Sequence, residues 1–295
     1  MSAIPQPVTA AMQPEEITAR SGSNFTTAFR CLDRARREGM TAIYAFCRVA
    51  DDAVDEANDP ATGRAHLQFW RNELAAAAKG NGATPVGLAL QTAMLRFGVE
   101  PRPLHDVLDG VEMDLAPHAF ADEEELQRYC YRVASAVGLA CLPVLGAVGA
   151  EAVRFADALG KALQLTNILR DLRADFELGR CYVPRTWLAE SGVDRAWLGG
   201  TGPPAVYAPG GPVASLCARL AQQAAGEFAA ARAALQALPR RQRRALVPAR
   251  IMGAIYGELL ARLVRRGGDL RGAQVRVPRR QKAWLALLVL AGVKA

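Results

Sequence analysis

The sequence predicts an all-α protein, a single large helical domain, on three observations. Aromatic residues make up only 6% of the 295 residues while Ala and Leu abound, which favours helices over β structure. Hydrophobic residues reach 51%, enough for a sizeable core in a chain of this length. Polar side chains recur at three- and four-residue intervals inside two apolar segments, the spacing of one helix face.

Taken in order, the chain opens with MSAIPQPVTAAMQPEE, which lacks a basic segment followed by an apolar run and so does not read as a secretory signal. Residues 1–20 are expected to be a flexible leader, and 21–293 the all-α domain. Helices are expected near 25–37, 39–57, 64–79, 85–97, 102–115, 122–137, 138–147, 151–174, 213–236, 240–265 and 279–291, without internal repeats. Gly179 through Pro184 ends the helix over 151–174, and the Gly/Pro-rich stretch 199–212 is a loop, read as a connector rather than a lid. The last apolar run, Ala283 to Val293, is too short for the ~20 residues that span a bilayer.

Two of these helices carry the chemistry. Tyr44, Arg48, Asp51 and Asp55 are spaced 4, 3 and 4 apart, and Gln164, Asn167, Asp171 and Asp175 are spaced 3, 4 and 4 apart. Each set forms one polar stripe on a helix otherwise flanked by residues such as Ile43, Phe46, Val49, Leu165, Ile168 and Leu172. Carboxylates in such surroundings must be neutralised. Ion pairs offer one route, since Arg48 can reach Asp52 and Arg170 and Arg173 neighbour Asp171. Two stripes in two apolar helices favour the other route, a divalent cation: Mg²⁺, or Mn²⁺ in its place, takes oxygen ligands and commonly shares them with phosphates.

The remaining composition excludes other classes. The six cysteines are scattered without a C-x-x-C pair, so neither a disulfide framework nor a zinc site is indicated, and His66, His105 and His118 lack ligand spacing. Residues 240–282 carry a balance of +11, leaving −4 for the rest of a +7 chain. That basic segment and the apolar run after it suit peripheral contact with an anionic membrane, although some arginines can instead face the active site. No helix-turn-helix or aromatic-interleaved basic groove points to nucleic acid. The expected location is cytoplasmic, peripheral on the inner face of the cell membrane.

The strings AIYAFCRVADDAVDEA (42–57) and ALQLTNILRDLRADFELGRCYVP (162–184) resemble the two signature regions of the squalene and phytoene synthase family. GVEMDL (110–115), YCYRVASAVG (129–138) and the Phe25-to-Tyr44 interval add support, and the resemblance runs from about 21 to 285. It implies the isoprenoid synthase type of fold with a central apolar cavity and a metal-dependent prenyltransferase, with metal ligands at Asp51, Asp55, Asn167, Asp171 and Asp175 and diphosphate contacts from Tyr44 and Arg48. It further implies substrate contacts from Asn24, Phe25, Tyr129, Val133, Val137, Gln164, Tyr182, Tyr256 and Arg276.

Four positions depart from the family pattern: Asn24 for the usual Ser, Ser135 and Ala136 for Gly-Thr, and Gln274 where an Arg is often found. No G-x-G-x-x-G nucleotide fingerprint is present, although reductive relatives need not carry one, and no nicotinamide is expected to be needed for the reaction favoured below. Within the family the wording AFCRVADDAVDE and the compact length resemble members that condense two farnesyl diphosphates to presqualene diphosphate, for squalene and hopanoid formation. The alternatives are condensation of two geranylgeranyl diphosphates to phytoene, a terpene cyclase, and, in another class, a non-catalytic helical protein of the membrane surface.

Overall fold

Side-chain caps fix many helix starts. Asp33 accepts from the backbone N–H of Arg36 at 2.9 Å, Thr84 from Gly87 at 2.9 Å and Asp122 from Glu125 at 3.0 Å, each contributing about 1 kcal/mol. Asp59 accepts from Ala61 and Thr62 ahead of Pro60, which is preorganised for a first helical turn. The computed structural model describes residues 6–20, 28–115 and 120–293. In chain order they form α1 (Pro14–Arg20), α2 (Arg34–Asp55), α3 (Pro60–Ala78), α4 (Pro85–Phe97), α5 (Pro101–Glu112) and α6 (Glu123–Cys130). A π-helical turn (Tyr131–Ser135) leads to α7 (Ala136–Leu145) and α8 (Ala150–Glu177), followed by α9 (Arg185–Glu190), α10 (Pro204–Tyr207) and α11 (Pro212–Ala237). The chain closes with α12 (Arg240–Ala245), α13 (Val247–Arg266) and α14 (Arg279–Leu290). No β-strand occurs among the described residues, and none of their helices is long and apolar enough to cross a membrane.

The 28-residue α8 joins two apolar cores. Its first half, with Phe155, Ala156 and Leu159, belongs to a core shared with α2 to α5 and α7. Its second half, with Leu165, Ile168, Leu169 and Leu172, belongs to a core shared with α6, α9, α11, α13 and α14. α8 meets the π-helical turn closely because Gly160 has no side chain: a Cβ there would lie 2.5 Å from Ser135 Cα. Ser135 Oγ donates to the carbonyl of Asp157 at 2.7 Å across that contact.

Several boundaries differ from expectation. The leader is not wholly flexible: Pro14–Arg20 are helical, and Ile17 is buried in the core with α2. Helices expected over 25–37 and 39–57 resolve, among the described residues, into one helix starting at Arg34, because Gly39 is a packing glycine beside Phe97 and Val144 rather than a break. The expected division at 137/138 is absent, since the π turn carries α6 into α7. The helix expected over 240–265 breaks at Leu246, where Pro248 lacks the N–H needed to continue it. The 199–212 connector contains α10 and is tied down by Tyr207, whose hydroxyl donates to the Trp197 carbonyl at 2.7 Å and accepts from the Gly202 N–H at 2.8 Å.

Candidate active site

The two acidic stripes lie on α2 and α8, and their C-terminal ends meet. Arg180 bridges them by donating from Nη2 to Asp55 Oδ1 at 2.8 Å. The end of α8 aims it there. The N–H of Gly179 bonds the Phe176 carbonyl and that of Arg180 the Asp175 carbonyl, a Schellman ending that requires the left-handed conformation Gly179 adopts (φ 77°). On α2, Arg48 pairs with Asp52, and Asp51 keeps open surface although protein surrounds it, because it faces a cavity. Asp171 accepts from Arg170 Nε at 2.9 Å and from Gln274 Nε2 at 2.5 Å. The anticipated ion pairs Arg48–Asp52 and Arg170–Asp171 therefore form, whereas Arg173 turns to Glu177.

A further carboxylate, unassigned from sequence, sits beside these. Asp114 accepts from Tyr182 Oη at 2.8 Å and from Tyr129 Oη at 3.1 Å. The two rings stack with centroids 4.9 Å apart, and Phe120 packs on both. Burial raises the Asp114 carboxyl, opposed by these hydrogen bonds, and burial together with the Asp114 charge pushes both phenols up, so they remain donors.

Behind the stripes lies a cavity of about 290 Å³. Met40, Ile43, Tyr44, Cys47 and Asp51 of α2, Val133 of the π turn, Val137 of α7, Leu163, Gln164 and Asn167 of α8 and Tyr256 of α13 border it. The structure thus gathers Tyr44, Asp51, Val133, Val137, Gln164, Asn167 and Tyr256 on one void. Tyr129 and Tyr182, expected to line it, instead form the Asp114 cluster. Arg276 stands one residue back from the carboxylates, donating from Nε to Gln274 at 3.1 Å. Asn24 and Phe25 lie outside the described residues.

Among the described residues no three acidic side chains converge as in a finished metal centre. The donors nevertheless fit a divalent cation. Asn167 Oδ1 is buried without a hydrogen-bond partner. Burial pushes Asp51 up to about 7, opposed by Arg48 and helped by Asp55 and Asp114, and burial with the charge of Asp171 raises Asp175 to about 7. An orphaned oxygen and two carboxylates held towards their protonated forms are what a cation would satisfy.

An all-α scaffold with facing acidic helices at the mouth of an apolar cavity is the framework of a prenyltransferase-type enzyme. The chain belongs to the squalene/phytoene synthase family, whose model matches residues 18–281. It is 37% identical to a presqualene diphosphate synthase of Rhodopseudomonas palustris, over 90% of this chain and 92% of that protein. It is 36% identical to a phytoene synthase of Mycobacterium tuberculosis, over 84% and 79% of the two chains. Among solved structures it is similar to a dehydrosqualene synthase crystallised with a ligand (TM-score 0.80, 27% identity, 95% of each chain covered). A squalene synthase of Alicyclobacillus acidocaldarius also matches (TM-score 0.74, 29% identity, 86% and 92% covered).

Proposed function

We propose that this protein condenses two molecules of farnesyl diphosphate to presqualene diphosphate, releasing diphosphate, in the formation of squalene and hopanoids. The observation that carries the reading is a single void with Asp51 and Asn167 at one end and Phe155, Leu159 and Leu145 lining it further along. That arrangement suits a substrate anionic at one end and hydrocarbon at the other. Presqualene diphosphate synthases among the similar proteins favour the fifteen-carbon substrate over phytoene formation.

Asp51, Asp55, Asn167, Asp171 and Asp175 would hold Mg²⁺, which when bound supplies charge stabilisation to a departing diphosphate. Tyr44 and Arg48 orient the diphosphate beside them. The allylic C–O bond of one substrate breaks with its electron pair on the diphosphate. The alkene of the second substrate attacks C1 of the resulting cation, and loss of a proton from that same C1, taken up by the departed diphosphate, closes the three-membered ring. Ile43, Val133, Val137 and Leu163 exclude water from the cation. No step consumes a reductant. The substrates and product are lipids, and we assign α14 with the basic segment before it as a peripheral contact with anionic membranes.

The test is product analysis of the purified chain with Mg²⁺ and either farnesyl or geranylgeranyl diphosphate, with and without NADPH. Accumulation of a C30 diphosphate from farnesyl diphosphate, independent of NADPH, is expected. Turnover of geranylgeranyl diphosphate alone would replace this reading by phytoene synthesis.

A further inference from the structure

A second void lies outside the first. It is a groove of about 480 Å³ between α8, α11 and α13, bordered chiefly by apolar and small residues such as Phe228, Ala231, Gly253 and Gly257. Phe155, Leu159 and Ala249 border both the groove and the inner cavity, so side chains alone part the two. Phe155 and Leu159 are 4% and 8% exposed, a closed partition. The partition is thin on the α13 side. A Cβ on Gly253 would lie 3.3 Å from Leu159 Cδ1, and a Cβ on Gly257 would meet nothing within 4 Å.

Distance along α8 places this wall at the end of the prenyl path. Leu159 is twelve residues before Asp171, and at ~1.5 Å per residue it sits ~18 Å from the acidic mouth. Phe155 is one turn further.

We propose that Leu159 and Phe155 are specificity-determining residues: they stop the chain at the far end of the cavity and shut it out of the outer groove, which would otherwise take the terminal unit of a longer prenyl diphosphate. The inference rests on the proposed prenyl diphosphate activity. An apolar chain longer by one five-carbon unit must either fold back in the cavity or displace these side chains. Leu159→Ala opens the wall into a groove whose lining is apolar or small apart from Arg232 and Arg250.

The experiment measures kcat/KM for farnesyl and geranylgeranyl diphosphate in the full chain, in Leu159→Ala, in Gly257→Phe and in the double variant. Phe155→Ala is a second opening of the wall, and circular dichroism confirms helical content throughout. Leu159→Ala is expected to move the C20:C15 ratio towards C20 by about tenfold or more, the discrimination that small changes in apolar pocket size give. Gly257→Phe fills the groove from outside and is expected to leave the C15 reaction unchanged, while in the double variant it cancels the gain. An unchanged ratio in the folded wall variants, or a gain that persists in the double variant, overturns the proposal while leaving the activity intact. A wild-type chain that converts neither substrate overturns the activity, and the proposal with it.

Discussion

The roles proposed for Asp51 and Asp171 matter only as diphosphate departs, so their loss should appear in rate rather than in fold. Asp51→Asn and Asp171→Asn are each expected to remove ~3–4 kcal/mol of transition-state stabilisation, slowing turnover by roughly 10²–10³ with helical content unchanged. Near-normal turnover in either folded variant would return both stripes to simple ion pairing. Asp51 and Asp175 also make a prediction about pH. Both hold protons up to about 7 in the folded state, against an ordinary carboxylate value of 3.8 in the unfolded chain. The folded state binds the extra protons between these values, so these groups make the metal-free protein lose stability as pH rises from about 4 to about 7 and level off above. Thermal melts should show that decline, flattened in an Asp51→Asn/Asp175→Asn variant, with Mg²⁺ stabilising more at pH 8 than at pH 6. A decline that the double variant retains in full would assign it to other groups. The stripes were legible because three- and four-residue spacing is local. Arg180 was not, because its partner Asp55 is 125 residues away, and neither was Asp114, 15 and 68 residues from the tyrosines that bind it.

At the scale of elements, the paired helices α2 and α8 were readable from their apolar borders, whereas the π turn, the break at Leu246 and the packing role of Gly39 depend on neighbours that periodicity cannot name. α14 shows the same division. Its run of apolar residues is plain in the sequence, but only packing tells that Leu285 and Val289 are buried while Trp284, Leu287 and Leu290 are exposed. Those outward side chains adjoin a segment of +11 over residues 240–282. Apolar insertion and electrostatic attraction reinforce each other at an anionic bilayer, and the electrostatic part is screened within ~8 Å at physiological ionic strength. Co-sedimentation with anionic vesicles is therefore expected, weakened by high salt, by neutral lipid and by Trp284→Ser/Leu287→Ser/Leu290→Ser. Negligible sedimentation of the unaltered chain at low salt would leave the arginines to the active site and to solvent.

For the whole molecule, the fold class followed from composition and from resemblance, and the family match over residues 18–281 agrees with it. The cavity itself was an expectation of chemistry rather than of pattern: its walls come from α2, α7, α8 and α13 and from the π turn, brought together by tertiary packing that no single segment encodes. That apolar void and the facing acids together make the site proposed for a prenyl diphosphate. A crystal structure of the chain with Mg²⁺ and an unreactive thiolo analogue of farnesyl diphosphate tests this directly. The diphosphate is expected between the α2 and α8 acids, with Asn167 Oδ1 turned towards the cation and the hydrocarbon running past Val137 and Leu163 to Leu159. A diphosphate seated instead on the arginines of 240–282, with the cavity empty of hydrocarbon, would contradict it.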